Sequence, residues 1–389
     1  MALMTQARID DPRFYADDPD PVLASLRREC PVSWHGDFWF VTRHEDVSTV
    51  SSRPDLFCSG RGVLPSDRNR AVAASDSILY LDPPTHSRYR RLISRAFTPR
   101  TVTVLEPRLR HLAAGLLDAI DPVDVIDAVE CISAPFPLLV IAELLGVPAS
   151  DLDDFRRWSD AVMAAATNLT DENATLAAEL LVYFDDQLRR RAEAPAGDLL
   201  SALVTAEVDG ERLSAAEQLG FCMTLLVAGN ETTRSLITGG IAALARAPDQ
   251  RNRLAADPAG IPAAVEEMLR WVTPIMAMAR TATADAVVGG VPVAADDFVV
   301  LSYGAANRDE AVFGPDADRF DTTRAPNPHL AFGFGEHFCI GAGLARLEGR
   351  ILFEELLRRW PRFEIAGEPV AVPSTLLRQY AHLPVRLQR

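Results

Sequence analysis

Apolar residues recur at helical spacing through most of this chain. Helical periodicity dominates residues 87–272 and returns in residues 344–360. Strand-like alternation is confined to residues 280–302 and to a hairpin predicted at residues 31–41. The pattern predicts a mainly α-helical fold with a minor β region.

The longest predicted helix begins at a capping box and ends near Ala245. Ser214 and Glu217 form the Ser-x-x-Glu box, and apolar periodicity continues from Leu219. Some thirty residues at ~1.5 Å each make a rod roughly 45 to 50 Å long, which crosses a whole domain. Its middle, residues 228–233, collects poor helix formers, so a kink or bulge is predicted there.

Composition narrows the class of protein. The chain has 389 residues, 48% of them apolar, and no linker-like or repetitive stretch, which favours one domain over residues 1–389. No membrane span or signal peptide is visible, and five scattered cysteines agree with a reducing compartment, so we expect a cytoplasmic protein. A net charge of −15 argues against nucleic-acid binding.

One cysteine stands in a different setting from the rest. Cys339 lies in the segment FGFGEHFCIG at residues 332–341, whose glycines permit a tight loop and the close approach of a flat ligand. Because an amphipathic helix follows, its N-terminus is predicted to lower the pKa of the thiol and favour a metal-binding thiolate. The cysteines predicted to be structural are Cys30, Cys58, Cys131 and Cys222.

The pattern F-x-x-G-x-H-x-C-x-G resembles the haem-binding loop of the cytochrome P-450 family, and the resemblance runs from about residue 10 to residue 385. It implies the P-450 fold, with haem b buried between a long central helix and a cysteine-bearing loop. It also implies that the Cys339 thiolate is the axial ligand of the haem iron. In the same loop, Phe332, Gly333 and Gly341 match cofactor-binding positions.

Two residues of the long helix match the family's acid-alcohol pair. The resemblance implies that Glu231 and Thr232 deliver protons for dioxygen activation over the distal haem face, and that Ala228 contacts the cofactor. A further match, Glu267 and Arg270, implies a buried structural pair. Such a pair fastens to an arginine of the segment before the cysteine loop, and the candidates are Arg319 and Arg324.

Haem carries two propionates, so a buried haem needs cations or hydrogen-bond donors beside them. The resemblance implies four propionate ligands, which lie far apart in the sequence. They are His86, Arg90, Arg280 and His337.

The substrate pocket implied by the resemblance combines several segments. We expect Met276 and Met278 to give it adaptable apolar surface, and Tyr380 to line it from a turn near the end of the chain. The loop at residues 58–80 and a polar break at residues 163–175 are predicted to complete it.

The resemblance implies a haem-thiolate monooxygenase that hydroxylates or epoxidises an apolar small molecule in secondary-metabolite biosynthesis. Electrons would come from NAD(P)H through a ferredoxin and its reductase, since the chain has no flavin domain or iron–sulfur motif. Arg346 and Arg350 are candidates for a basic ferredoxin-binding patch. The alternatives are a haem-thiolate peroxygenase or dehydratase, and a non-catalytic module that recruits a partner.

Overall fold

The computed structural model is mainly α-helical, with a minor β region. It describes residues 8–69, 77–94, 97–121, 125–165, 170–208 and 210–388. The helices are α1 (Pro12–Ala16), α2 (Asp20–Glu29), α3 (His44–Ser51), α4 (Thr85–Ser94), α5 (Pro99–Asp118), α6 (Pro135–Leu145), α7 (Leu152–Ala165), α8 (Asp171–Glu193), α9 (Leu199–Thr205), α10 (Ala215–Arg246), α11 (Pro248–Ala256), α12 (Ile261–Val272), α13 (Tyr303–Ala306), α14 (Glu310–Phe313) and α15 (Ala342–Arg359).

The strands form one five-stranded sheet and smaller ribbons. They are β1 (Val32–Trp34), β2 (Trp39–Val41), β3 (Phe57–Cys58), β4 (Val125–Asp127), β5 (Glu207–Val208), β6 (Glu211–Arg212), β7 (Ala277–Ala282), β8 (Ala286–Val288), β9 (Val291–Val293), β10 (Phe298–Ser302), β11 (Arg362–Ile365), β12 (Val370–Ala371), β13 (Tyr380–His382) and β14 (Pro384–Gln388). The large sheet has the order β1-β2-β10-β7-β3, and only the β2–β10 pairing in it is parallel. The hairpin predicted at residues 31–41 is confirmed as β1 and β2.

Helix α10 confirms the long helix predicted from the sequence. Its capping box is complete: the Glu217 N–H donates to the Ser214 hydroxyl at 3.2 Å, and the Ser214 N–H donates to the Glu217 carboxylate at 2.7 Å. The α-helix continues through residues 228–233, so the bulge predicted there is absent. The Thr232 hydroxyl donates to the Ala228 carbonyl one turn earlier at 2.6 Å, within this uninterrupted helix.

Two hydrophobic cores share α10. Phe221 and Leu226, from its first half, pack with residues of α6 to α9. Leu236 and Ile241, from its second half, pack with residues of α12 and α15. Each such side chain contributes about 1.5–3 kcal/mol when it is fully buried, so both halves of α10 are held firmly.

The middle of α10 lies between these cores and is open. Val227 is 41% exposed and Ala228 is also exposed, although Leu226 and Asn230 on either side of them are buried. Apolar side chains near the centre of a central helix are normally buried. The exposure of Val227 and Ala228 therefore marks an open space between the two cores.

Strand β7 directs several predicted site residues to one side of the sheet. Because side chains alternate along a strand, Met278 and Arg280 lie on the same face of β7. The strand is fixed on both sides, by β10 and by β3.

In the part of the chain that the structure describes, no helix is long and apolar enough to span a membrane.

Candidate active site

The loop that carries Cys339 is closed by a backbone hydrogen bond and shaped by two glycines. The Cys339 N–H donates to the Phe332 carbonyl at 2.8 Å. Gly333 and Gly335 have φ angles of 71° and 72°, a left-handed conformation that favours glycine. A Cβ atom at Gly335 would collide with the Ser51 carbonyl, so the loop packs too closely there for any other residue.

The Cys339 thiol lies just before α15, whose first residue is Ala342, and it is partly buried. Burial raises the pKa of the thiol, while the Gly341 N–H and the charges of Arg90 and Arg346 act in the opposite direction. The pKa of this thiol is therefore raised and not lowered as predicted, because removal from water outweighs these three contributions. A metal that binds the sulfur would replace the proton.

The four predicted propionate ligands converge beside this loop. The rings of His86 and His337 lie 4.2 Å apart, centre to centre. Arg90 donates to the Phe338 carbonyl at 2.5 Å, and Arg280 donates to the carbonyl of its preceding residue at 2.7 Å. Residues from α4, β7 and the cysteine loop thus form one cluster, which we call the cation cluster.

Among the residues that the structure describes, no carboxylate lies within hydrogen-bond distance of the cation cluster. Burial, followed by the charges of Arg280, His86 and Arg90, lowers the pKa of His337 to about 3. Burial also lowers the pKa of His86, whose Nε2 atom is buried without a hydrogen-bond partner. The Glu336 carboxylate is 4.0 Å from the His86 ring, beyond hydrogen-bond distance.

Two arginines, together with the unpartnered Nε2 atom of His86, suit a ligand that brings two carboxylates, whereas the Nε2 atom of His337 already bonds to the Ser59 hydroxyl at 3.1 Å. The nearby Cys339 thiol and the open space beside α10 suit a flat metal-bearing group. The residues present therefore fit a haem.

Thr232 is placed to act as a hydrogen-bond acceptor in the open space. Its hydroxyl proton is used in the bond to the Ala228 carbonyl, which leaves the oxygen lone pairs available. Ala228 is exposed and lies one turn before Thr232, so both residues share one face of α10. Glu231 is the next residue around the helix, about 100° away.

The predicted structural pair is fully buried and fully bonded. Glu267 and Arg270 are both 0% exposed and share two hydrogen bonds, at 2.7 and 2.8 Å. Arg324 is the arginine that adds its guanidinium, 3.3 Å from Glu267. Arg270 also donates to three carbonyls, those of Asn307, Ala317 and Arg319.

The predicted substrate residues are spread over two segments that touch each other. Met276 is buried, and its N–H donates to the Leu376 carbonyl at 2.7 Å. Met278 lies on the same face of β7 as Arg280, and Tyr380 begins β13. Parts of the two predicted pocket loops, residues 70–76 and 166–169, lie outside the described residues.

Arg346 and Arg350 do not form the predicted basic patch. Arg346 donates to the Glu266 carboxylate at 2.7 Å, and Arg350 donates to Glu106 at 2.6 Å. Both arginines line a groove of about 650 Å³, to which Cys339 also contributes. Their charges are neutralised by acids that lie far away in the sequence.

Sequence reasoning missed one polar residue that contacts the site and one buried acid on the helix after it. The Gln379 amide donates to the Glu231 carboxylate. Glu348, on the helix after Cys339, is 4% exposed and its Oε2 atom has no hydrogen-bond partner, so burial raises its pKa well above the usual value. The turn at residues 378–382 was the available signal for Gln379, while nothing local marks Glu348.

Comparisons with known proteins agree with this geometry. A sequence profile described as cytochrome P-450 matches residues 261–376. The chain is 39% identical to the methyl-branched lipid omega-hydroxylase of Mycobacterium tuberculosis, over 95% of this chain and 91% of that protein. It is 40% identical to the vitamin D(3) 25-hydroxylase of Pseudonocardia autotrophica, over 95% and 94%.

Solved structures show the same similarity. A cytochrome P-450 from Chondromyces apiculatus superposes with a TM-score of 0.89 at 39% identity, covering 97% of each chain. Another, from Bacillus megaterium in complex with testosterone, gives a TM-score of 0.88 at 32% identity, covering 96% of this chain and all of that one.

Proposed function

This chain belongs to the cytochrome P-450 family of monooxygenases, and we propose that it hydroxylates or epoxidises an apolar small molecule. The observation that carries the proposal is the cation cluster beside Cys339. Its two arginines, Arg90 and Arg280, bond to backbone carbonyls and not to carboxylates, which is costly for buried charge unless a ligand supplies the anions. We propose that the whole chain acts as one domain built around that ligand.

The residues that would hold the cofactor can be named. Cys339 would bind the iron of haem b as thiolate, and the four residues of the cation cluster would bind its propionates. Phe332, Gly333 and Gly341 would shape the loop against the ring, and Ala228 would contact its other side. When bound, a haem with a thiolate ligand activates dioxygen.

The remaining chemistry is proton delivery, which we assign to two residues of α10. Thr232 can accept a hydrogen bond from a water molecule or a bound ligand while its own proton stays on the Ala228 carbonyl. Glu231 supplies a carboxylate on the adjacent face, with a side chain only 12% exposed. An acid and an alcohol in a water-poor pocket form a short path for protons.

The substrate class follows from the relatives and from the pocket segments. The relatives are named for hydroxylation of a methyl-branched lipid and of vitamin D(3). We infer an apolar substrate of similar size from secondary metabolism, lined by Met276, Met278 and Tyr380. A panel of a branched fatty acid, vitamin D(3) and testosterone is a first screen, read as a change in haem spin state.

We infer that a ferredoxin and its reductase bring the electrons and that the protein works in the cytoplasm. All five cysteines are free thiols, which agrees with a reducing compartment. Since Arg346 and Arg350 are paired, the ferredoxin would dock through other groups. Reduction by NADPH with purified ferredoxin and reductase, compared with reductase alone, tests this inference.

The decisive experiment concerns the sulfur ligand. The reduced protein should give the red-shifted carbon monoxide band of a thiolate-bound haem, and Cys339→Ser should abolish it. Cys30→Ser, at an exposed cysteine, is the matched control and should leave the band intact. If the band survives in Cys339→Ser, then Cys339 is not the ligand and the proposal is wrong.

A further inference from the structure

The two oxygens of the Glu231 carboxylate have different partners. Arg234, one turn later on α10, lies 3.6 Å from Oε1, which is a charge contact and not a hydrogen bond. The Gln379 amide donates directly to Oε2. The hydrogen bond that fixes this acid therefore comes from outside its own helix.

Gln379 is itself held in place by the backbone around it. Its carbonyl accepts from the Val372 N–H at 3.0 Å, and the Arg378 N–H before it donates to the Pro274 carbonyl at 3.0 Å. Leu377 also forms a β-bridge with Ile275. The backbone that carries the Gln379 side chain is thus fixed by hydrogen bonds, next to the segment that leads to Met276.

A neutral amide is better suited than a second cation to orient the Glu231 carboxylate. A charge-assisted hydrogen bond orients a carboxylate, and it is about twice as strong as a neutral one. An arginine in the same place would also orient the carboxylate, but it would hold the negative charge more tightly and oppose proton uptake. Gln379 orients the acid without placing a further charge beside it.

We propose that Gln379 is a positioning residue for proton delivery: its amide holds the Glu231 carboxylate in register with Thr232 and ties it to the pocket wall at residues 274–278. This inference rests on the function proposed above. It assigns a role to a residue that lies 148 positions from Glu231 in the chain.

The test uses dioxygen itself and needs no organic substrate. Dioxygen that takes up two electrons and two protons leaves as hydrogen peroxide, whereas four electrons and four protons reduce it to two waters. NADPH, ferredoxin and reductase supply the electrons, so the share of dioxygen returned as peroxide reports on proton delivery. The carbon monoxide band confirms haem loading of every variant.

Gln379→Met keeps the side-chain length and removes the donor, so we expect the peroxide share to rise at least about twofold. Gln379→Glu keeps the shape but sets a second negative charge against Glu231, so we expect a larger rise. If Gln379→Glu behaves like the unchanged protein, the side chain acts only by its shape and the proposal is wrong.

The matched control is the neighbouring residue. The Arg378 side chain is directed to Asp20, 3.7 Å away, and not to Glu231. Arg378→Met disturbs the same loop, and we expect its peroxide share to stay unchanged. A rise as large as that of Gln379→Met would show that any disturbance of the loop is sufficient, which overturns the proposal.

Exchanging the two groups gives a readout that does not depend on turnover. Glu231→Gln and Gln379→Glu should each lower Tm, while the double variant, which restores a carboxylate–amide bond, should recover most of the loss. The share of dioxygen that the double variant returns as peroxide should stay high, because its carboxylate then lies at position 379 and no longer on α10. A double variant no more stable than additivity predicts would show that the contact does not exist.

Thr232→Ala separates failure of this inference from failure of the function on which it rests. If Thr232→Ala and Glu231→Gln raise the peroxide share but Gln379→Met does not, the acid-alcohol path stands and the role of Gln379 is refuted. If none of the three raises it, the path itself is absent and both proposals fall.

Discussion

Two buried groups of charge in this protein are built in opposite ways. Around Glu267 and Arg270, both with no exposed surface, the carboxylate and the guanidinium are bonded to each other, to Arg324 and to backbone carbonyls. The cation cluster of His86, Arg90, Arg280 and His337 has no carboxylate within hydrogen-bond distance among the residues described, and His86 keeps an unpaired ring nitrogen.

The contrast between the two groups indicates where a ligand would bind. Both oxygens of Glu267 accept hydrogen bonds, whereas the Arg90 and Arg280 side chains bond only to backbone carbonyls. In the first group the charges hold the structure together. In the second group the arginines are available to bind the anionic groups of a ligand. Three tests follow from this contrast.

Breaking the ion pairs of Glu267 with Arg270 and Arg324 should have the largest effect on stability. Glu267→Gln keeps the shape but leaves Arg270 and Arg324 as buried cations without a counter-charge, so we expect a loss of about 3–5 kcal/mol in unfolding free energy, measured by denaturant. The control is Glu207→Gln, at an exposed pair with Arg212, which should change it by less than about 1 kcal/mol. Equal losses in the two variants would contradict the contrast.

Removing a charge from the cation cluster should leave the stability of the fold unchanged and weaken haem binding. We expect Arg280→Met to leave the stability of the haem-free protein unchanged or slightly raised, because it removes a buried cation that bonds to a backbone carbonyl and not to a carboxylate. Haem affinity should fall about 10-fold or more, as for the loss of a charge-assisted hydrogen bond of about 1.5–3 kcal/mol. Haem transfer to apomyoglobin measures it, and unchanged transfer would refute propionate binding by Arg280.

The smallest effect is expected for Glu348, a buried acid whose Oε2 atom has no hydrogen-bond partner. Burial raises the pKa of Glu348, so the folded protein keeps its proton above the pH of about 4.3 at which the unfolded chain releases it. Stability contributed by this group is therefore lost as pH rises beyond that value. Glu348→Gln should be more stable by on the order of 1 kcal/mol at pH 7 and equal near pH 4.

The measurement for Glu348 is the pH dependence of Tm for the two proteins, each without haem. A constant difference between pH 4 and pH 7 would mean that Glu348 is not the titrating group. Leu352→Ala, one turn later on α15 and fully buried, is the control: it should lower Tm equally at both pH values, because it removes no titrating group.

Local patterns in the sequence predicted the features that depend on neighbours in the chain. The Ser214 and Glu217 capping box marked the start of α10, and alternation marked β7 and β10. The resemblance placed Cys339 in its loop. Each of these signals spans a few residues, so no knowledge of tertiary packing was needed.

What the sequence could not supply depends on distant partners. Arg346 was a candidate for a basic patch, yet it is neutralised by Glu266, which lies 80 positions away. The pKa of Cys339 was judged from the nearby helix end, but the surrounding protein decides its direction. Gln379 contacts Glu231 across 148 positions, a pairing that a single sequence does not reveal.

The parallel pairing of β2 with β10 has a consequence for how the protein is made. Trp39 bonds to Asp297, 258 positions along the chain, so the central sheet closes a very long loop. Contacts of that kind form slowly, whereas helices assemble early. We expect β7, and with it Arg280, to settle into the sheet late, so that the nascent protein can receive its cofactor only at the end of folding.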